Sequence, residues 1–268
     1  MTFSARWRWG LRITLWLGLA FLYIPLLLVV VNAFNSSRTF AFPPSGFTLK
    51  WWHQAANSSG AKDALWTSVK VGLGAAGIAL VLGTMAAFAV QRYSFFGKQT
   101  ISFLVVLPIA LPGIITGVAL RSSLNELIGS ANFGILTVII GHATFCVVVV
   151  YNNVQARLRR MGGSLEEASA DLGATGWQTF RYVTLPGVRG ALLAGGLLAF
   201  GLSFDEIVVT NFTTAPGTTT LPLWIFQNLS RPNQAPVVNV VAASLIVLAV
   251  LPVWLAQRLS DGAETSRF

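Results

Sequence analysis

The sequence predicts an all-α integral membrane protein, a single helical bundle of six transmembrane helices over residues 1–268. Three observations predict it. Mean hydropathy is +0.67, and only 10% of the residues are charged, where soluble domains carry about a quarter. Six windows, roughly 13–33, 65–90, 100–120, 133–154, 190–212 and 237–257, are apolar enough and reach the length of about 20 residues that a bilayer demands of a helix. The runs are continuous and do not alternate, as the strands of a membrane barrel must. Lipid offers no water to open backbone groups, so the spans are helical.

The first window follows Arg6, Arg8 and Arg12 and precedes Val31-Asn32-Ala33, which loosely fits a cleavage site. Its apolar run is longer than the core of a signal peptide, so it is expected to stay as a membrane anchor. Residues 34–64 read as an outside loop, with Pro43 and Pro44 as breakers and Trp51 and Trp52 suited to a membrane–water interface. The second window contains Gly72, Gly74 and Gly77 in a literal G-x-G-x-x-G. No strand precedes it and no acid follows between Asp63 and Glu126, so helix packing explains it better than a dinucleotide site. Residues 91–99 form a short inside loop. Its Gly97-Lys98 lacks both the hydroxyl residue and the first glycine of a phosphate-binding loop.

Within the third window, Pro108 and Pro112 kink the helix, and Gly113 and Gly117 lie four apart on a small-residue face. Helix packing and a hinge are both compatible with that pattern. Residues 121–132 form a short outside loop. The fourth window holds His142 and the single cysteine, Cys146. They share a face at i, i+4, but two ligands are too few for a metal, so packing is expected. Asn152 and Asn153 are expected to bond across helices or to headgroups. Residues 213–236 form a longer outside loop punctuated by Pro216, Pro222, Pro232 and Pro236.

The net charge of +9 does not indicate nucleic acid. With the N-terminus inside, Arg6, Arg8, Arg12, Arg92, Lys98, Arg157, Arg159, Arg160, Arg181, Arg189, Arg258 and Arg267 all fall on the inside. Arg38, Lys50, Lys62, Lys70, Arg121 and Arg231 fall outside. This is the positive-inside asymmetry. Both termini are then cytoplasmic.

The large inside loop, 155–189, contains the longest polar passage, 164–186. Ser164-Leu165-Glu166-Glu167 fits a capping box, and the two acids favour a helix N-terminus. Leu165, Ala168 and Leu172 share a face. Gly173 suits a left-handed cap. Thr175-Gly176-Trp177-Gln178 repeats the box, and Pro186 is expected to stop the second helix. Two short amphipathic helices joined by a tight turn are marginal alone. A lipid-lying helix would be rich in Lys and Arg, whereas this one opens with acids and carries small residues at Ala168, Ser169 and Ala170. A protein docking site is the better reading.

Asp205 and Glu206 are the only acids inside any apolar window. Such charges face water, a partner or a pathway. They mark either a substrate path or gate, or a structural ion pair near the outer boundary. Asp205 is expected about seven residues, roughly 10 Å, below the outer end of the fifth helix, with Glu206 about 100° round it.

Glu167-Ala168-Ser169, Gly173 and Val183-Thr184-Leu185-Pro186 resemble the signature loop of permease subunits in bacterial ATP-binding-cassette importers. That pattern is Glu-Ala-Ala, three residues, Gly, nine residues, apolar, any, Leu-Pro, and Ser169 is the one departure. "AFNSSR" at 33–38, "SFDEIVVTNF" at 203–212 and "TLPLWIF" at 220–226 look like the spermidine/putrescine type. The resemblance implies the type I importer permease fold and a coupling helix-turn-helix that inserts in a cleft of an ATPase. It implies coupling roles for Glu167, Ala168, Ser169, Asp171, Leu172, Gly173, Ala174, Leu185 and Pro186. Phe204, Asp205, Glu206 and Trp224 become candidates for the substrate pathway or gate, since carboxylates and aromatics suit the ammoniums of a polyamine.

The implied partners are a second permease subunit in a heterodimer, two ATP-binding subunits, an extracytoplasmic solute-binding protein and membrane lipid, with no nucleic acid. ATP and Mg would be used by the ATPase, with no metal or cofactor on this chain. The expected location is the bacterial inner membrane, and the expected role a transport subunit with no catalytic residue. Another small solute, such as an amino acid or other organic cation, is the alternative. A non-transport scaffold is disfavoured by the complete loop signature. An intramembrane enzyme is disfavoured because no nucleophile–base pair lies in the spans.

Overall fold

The computed structural model describes residues 5–39 and 42–248. The long helices are α1 (Ala5–Asn32), α3 (Ser59–Arg92) and α6 (Ile135–Met161), with α2 (Lys50–Ala56) between the first two. The pair α4 (Lys98–Ala110) and α5 (Gly113–Ile128) follows α3, and α7 (Ser164–Asp171) and α8 (Gly176–Thr179) follow α6. Then come α9 (Leu185–Phe204), α10 (Val208–Thr213), α11 (Leu221–Leu229) and α12 (Ala235–Leu248). No strand occurs among the described residues.

Among the described residues, four helical stretches are long and apolar enough to cross a bilayer: Trp7–Asn32, Ser59–Arg92, Ile135–Met161 and Gly176–Phe204. The third expected span is not one helix. It divides into α4 and α5, bent by 106° at Leu111 and Pro112, where Pro112 takes up an extended conformation ahead of α5. Pro108 is accommodated inside α4, so the break belongs to the second proline. α12 opens the sixth expected span, whose remainder beyond Leu248 lies outside the described residues, as do Arg258 and Arg267.

The chain forms two compact units. In the first, made of 1–61 and 225–268, Ala33, Trp51, Val240 and Ala243 form the core. Trp51 is 6% exposed and its Nε1 donates to the carbonyl of Asn35 at 2.8 Å. It is a core residue, not the interface anchor expected from its sequence. The indole is buried because its one donor finds a partner.

The second unit, 62–224, is organised around α3, α6 and α9. Ala75, Ala79 and Ala87 of α3 pack with Val150, Tyr151, Val154 and Leu158 of α6 and with Val188 and Ala199 of α9. Small residues set the spacing. A Cβ on Gly83 would lie 2.8 Å from the carbonyl oxygen of Val147, so only glycine admits this approach. Gly72 and Gly74 meet Phe200 and Ile139 in the same way. Two of the three glycines of the α3 triplet therefore serve packing, while a Cβ on Gly77 would meet nothing within 4 Å.

Several polar residues of the spans bond inside the unit. The Tyr151 hydroxyl lies 2.7 Å from Ser102 Oγ and accepts from Gln155 Nε2 at 2.7 Å. Asn153 does not reach across to another helix; its Nδ2 donates to the carbonyl of Val149, one turn back, at 2.8 Å.

Candidate functional site: the two ends of the ninth helix

The polar passage folds as α7, a turn and α8. The helix does not end there. A π-helical turn over Phe180–Thr184 carries it into α9, giving continuous helix from Gly176 to Phe204. Pro186 therefore does not stop a helix. It sits at the start of α9, where a missing N–H is tolerated. The π turn absorbs the register change that a ring without a donor imposes on the preceding turn.

The first expected capping box does not form. α7 begins with Ser164 already helical, and Gly163 stands at the N-cap without a side-chain bond. Its carbonyl accepts from the amides of Glu166 and Glu167 at 3.0 and 2.9 Å. The second box does form. Thr175 Oγ1 accepts from the amide of Gln178 at 3.4 Å, and Gln178 Oε1 accepts from the amide of Thr175 at 2.7 Å.

Between them, Gly173 has φ +82°. Its amide donates to Ala170 and that of Ala174 to Ser169, at 2.8 and 3.1 Å. This is the Schellman pattern, and φ in this region disfavours any residue with a Cβ. The Ser169 hydroxyl lies 3.1 Å from Thr179 Oγ1, pinning α7 to α8, so the one departure from the signature adds a polar contact that alanine lacks.

Around this turn the apolar side chains point outward. Leu172 is 89% exposed, Trp177 68% and Leu165 59%. Glu167, Ala168, Asp171, Gly173 and Pro186 are exposed as well, and Ala174 is half-buried. Leu185 differs: it is partly buried and packs against the core of the unit.

The segment is braced from behind. Glu166 Oε1 accepts from Arg92 Nη2 at 2.9 Å and from Thr184 Oγ1 at 2.8 Å. Arg92 ends α3 and Thr184 ends the π turn. Phe180 stacks on Trp177 with ring centroids 5.7 Å apart, and meets Phe88 of α3 edge-on at 5.9 Å. A cavity of about 420 Å³ lies here, lined by Arg92, Tyr93, Glu166, Ala174, Thr179 and Thr184, among others. Sequence reasoning treated Glu166 only as a favourable charge at a helix start. The signal available was an acid one position before the signature and a lone arginine closing the second span.

At the opposite end, α9 stops at Phe204 with Asp205 as its C-cap. The window expected to run to residue 212 is broken over residues 205–207, and α10 follows. Asp205 is therefore not buried a turn or two inside a helix. It is exposed at the break, while Glu206 and Phe204 are half-buried. Glu206 Oε1 accepts from the amide of Val209 at 2.9 Å, satisfying a first-turn donor of α10.

The break is held from α6. His142 is fully buried, with Nδ1 2.8 Å from Ser203 Oγ and Nε2 2.8 Å from Thr210 Oγ1. Thr210 Oγ1 in turn donates to the carbonyl of Glu206 at 2.9 Å. Thr137 Oγ1 donates to the carbonyl of Thr213 at 2.7 Å. Gly113 and Gly117 of α5 face Val208 and Phe212, so their small-residue face receives α10. His142 and Cys146 share a helix face but no metal cluster, and no group of three or more His, Cys, Asp or Glu able to hold a metal occurs among the described residues. No ion pair involves Asp205 or Glu206 among the described residues. Trp224 lies half-buried on α11, its amide bonded to the carbonyl of Thr220 at 2.8 Å. That stretch had been expected to be loop.

Residues 79–264 match the family described as the binding-protein-dependent transport system inner membrane component. The chain is 35% identical over 264 residues to the putrescine transport system permease protein PotI of Escherichia coli K12, covering 97% of this chain and 93% of that one. It is 34% identical over 241 residues, 90% of each chain, to the spermidine/putrescine transport system permease protein PotC of the same organism. A putative 2-aminoethylphosphonate permease, PhnV of Salmonella typhi, is 30% identical over 248 residues, 92% of each chain. In fold, the chain resembles a bacterial ABC transporter involved in import of the acidic polysaccharide alginate, with a TM-score of 0.72 over 96% of this chain and 99% of that one at 14% identity. A helical membrane unit with a braced, outward-facing signature loop and similarity along nearly its whole length thus places the chain in the family of inner membrane components of binding-protein-dependent transport systems.

Proposed function

We propose that the chain forms half of the translocation pathway of an ATP-driven importer for polyamines, putrescine or spermidine, and that 164–186 docks on a cytoplasmic ATPase. The family assignment and the near full-length similarity to a putrescine permease support the role. The single observation that carries the docking assignment is the outward display of Leu165, Leu172 and Trp177 on a turn fixed by Gly173. Exposed apolar side chains on a rigid, capped motif are what a partner's cleft requires.

In this reading the partners are a second, different permease subunit, two ATP-binding subunits and a solute-binding protein. ATP and Mg are used by the ATPase. Both termini and 164–186 face the cytoplasm. Asp205, exposed at the break, is the acid placed to meet an ammonium group, with Phe204 and Trp224 as accompanying aromatics. Glu206, committed to the amide of Val209, shapes the break.

The similarity to a 2-aminoethylphosphonate permease favours, as the competing reading, another solute carrying an amine. The test is uptake into proteoliposomes holding the assembled complex, with radiolabelled putrescine, spermidine or 2-aminoethylphosphonate. ATP-dependent accumulation of the first two, dependent on the binding protein, is expected. Accumulation of the third alone would move the substrate to the competing reading, and a chain that copurifies with no ATPase would reject the role.

A further inference from the structure

The carboxylate of Glu166 joins three elements through a single oxygen. It belongs to α7, yet the same oxygen, Oε1, accepts from Arg92 at the end of α3 and from Thr184 at the root of α9. Arg92 is bound there and nowhere else among the described residues: its Nε is buried with no acceptor. The pair is four-fifths buried, with the two side chains 20% and 22% exposed, so solvent screens it less than a surface pair. Glu167, one residue on, is exposed.

We propose that Glu166 is the positioning residue that transmits displacement of the docking helix to α3 and α9, while its neighbour Glu167 serves the docking itself. This rests on the proposed function. A load on α7 has two polar routes into the membrane helices: through the Glu166 oxygen to α3 and α9, and through the Ser169–Thr179 contact to α8, which is continuous with α9. Only the first reaches α3. The π turn lies between them, and a turn with wider hydrogen-bond spacing is a place where a helix changes register. Holding Thr184 to α7 makes that register follow the docking helix.

The test uses the complete complex: this chain with its second permease, ATPase and binding protein. ATPase copurification, ATP hydrolysis and uptake of radiolabelled putrescine are measured together. Glu166→Ala is expected to assemble and hydrolyse ATP, with solute imported per ATP falling about tenfold, the scale of losing a hydrogen bond to a charged group. Thr184→Val, which keeps the side-chain volume, is expected to show a smaller drop. Arg92→Glu alone is expected to uncouple, and Arg92→Glu with Glu166→Arg to recover part of the ratio, a recovery that mere structural damage would not give.

A Glu166→Ala complex with the wild-type ratio would overturn the proposal. So would loss of ATPase copurification matching that of Glu167→Ala, which would make Glu166 a docking residue. If Glu166→Ala fails to assemble, Thr184→Val decides: an unchanged ratio there also overturns it. A wild-type complex that hydrolyses ATP without importing putrescine counts against the proposed substrate instead.

Discussion

The two ends of the continuous helix Gly176–Phe204 spend their polar groups in opposite ways. At the first end, the backbone is satisfied locally by the Thr175–Gln178 box and the Schellman turn. Apolar side chains are left facing outward, Leu172 most of all. At the second end, the apolar residues pack inward, and polar groups are drawn in to hold a chain break, with His142 bridging Ser203 and Thr210. An end that satisfies its own backbone can offer its surface to a partner. An end whose side chains are committed to its own backbone is a fixed feature of the bundle, with one exposed acid, Asp205, left over.

Opposite uses of the two ends require that they lie on opposite sides of the membrane. In a Cys146→Ala background, single cysteines at Asn57 and Thr218 are expected to label with an impermeant thiol reagent in intact cells, and one at Ala174 is not. Labelling of Ala174 alone would invert the orientation.

The next largest effect is expected at the turn of the first end. Gly173→Val forces a β-branched residue to φ +82°, costing about 1–2 kcal/mol at that residue and opening the Schellman turn. Uptake is expected to be lost and ATPase copurification weakened. Normal assembly with normal uptake would remove Gly173 from the docking surface.

At the second end, His142→Ala leaves Ser203 and Thr210 buried without their shared partner. Destabilisation of about 2–4 kcal/mol, from an unsatisfied polar group plus a cavity, is expected as a lowered thermal midpoint in detergent. A midpoint equal to wild type would mean that the break is held by packing alone.

Asp205→Asn keeps size and hydrogen-bonding capacity while removing charge. Uptake is expected to fall several-fold at unchanged protein level. Glu206→Gln is expected to transport nearly normally, because an amide oxygen can still accept from Val209. The reverse pattern would exchange the two acids' roles. The smallest effect is expected for Thr175→Ala, about 1 kcal/mol for a lost cap, read as a modest drop in ATPase affinity of the complex.

Much of the fold was legible because membrane helices obey a length and composition rule that needs no tertiary information. The turn at Gly173 was legible for a similar reason: Gly173 and the Thr175–Gln178 box act through bonds only a few residues apart. The fifth span could not be read correctly, since apolar residues resume at Ile207, Val208 and Val209 after Asp205 and Glu206, and a window average passes over the break in the backbone. Only packing of Val208, Val209 and Phe212 against glycines of α5 and α6, together with the His142 bridges, makes the break preferable to another turn of helix. Pro186 misled in the same way, as a π turn that no local signal specifies lets the helix continue through it.

Neighbouring residues alone fix the class of protein, the apolar elements and the locally bonded turn at Gly173, because hydrophobicity and short-range hydrogen bonds are local properties. Which polar side chains meet is settled by the packing of distant segments. Arg92, Glu166 and Thr184 are separated by 74 and 18 residues, and His142 stands 61 and 68 residues from its two partners. Those pairings arise because a buried polar group in an apolar bundle has to find a partner wherever the fold brings one within reach.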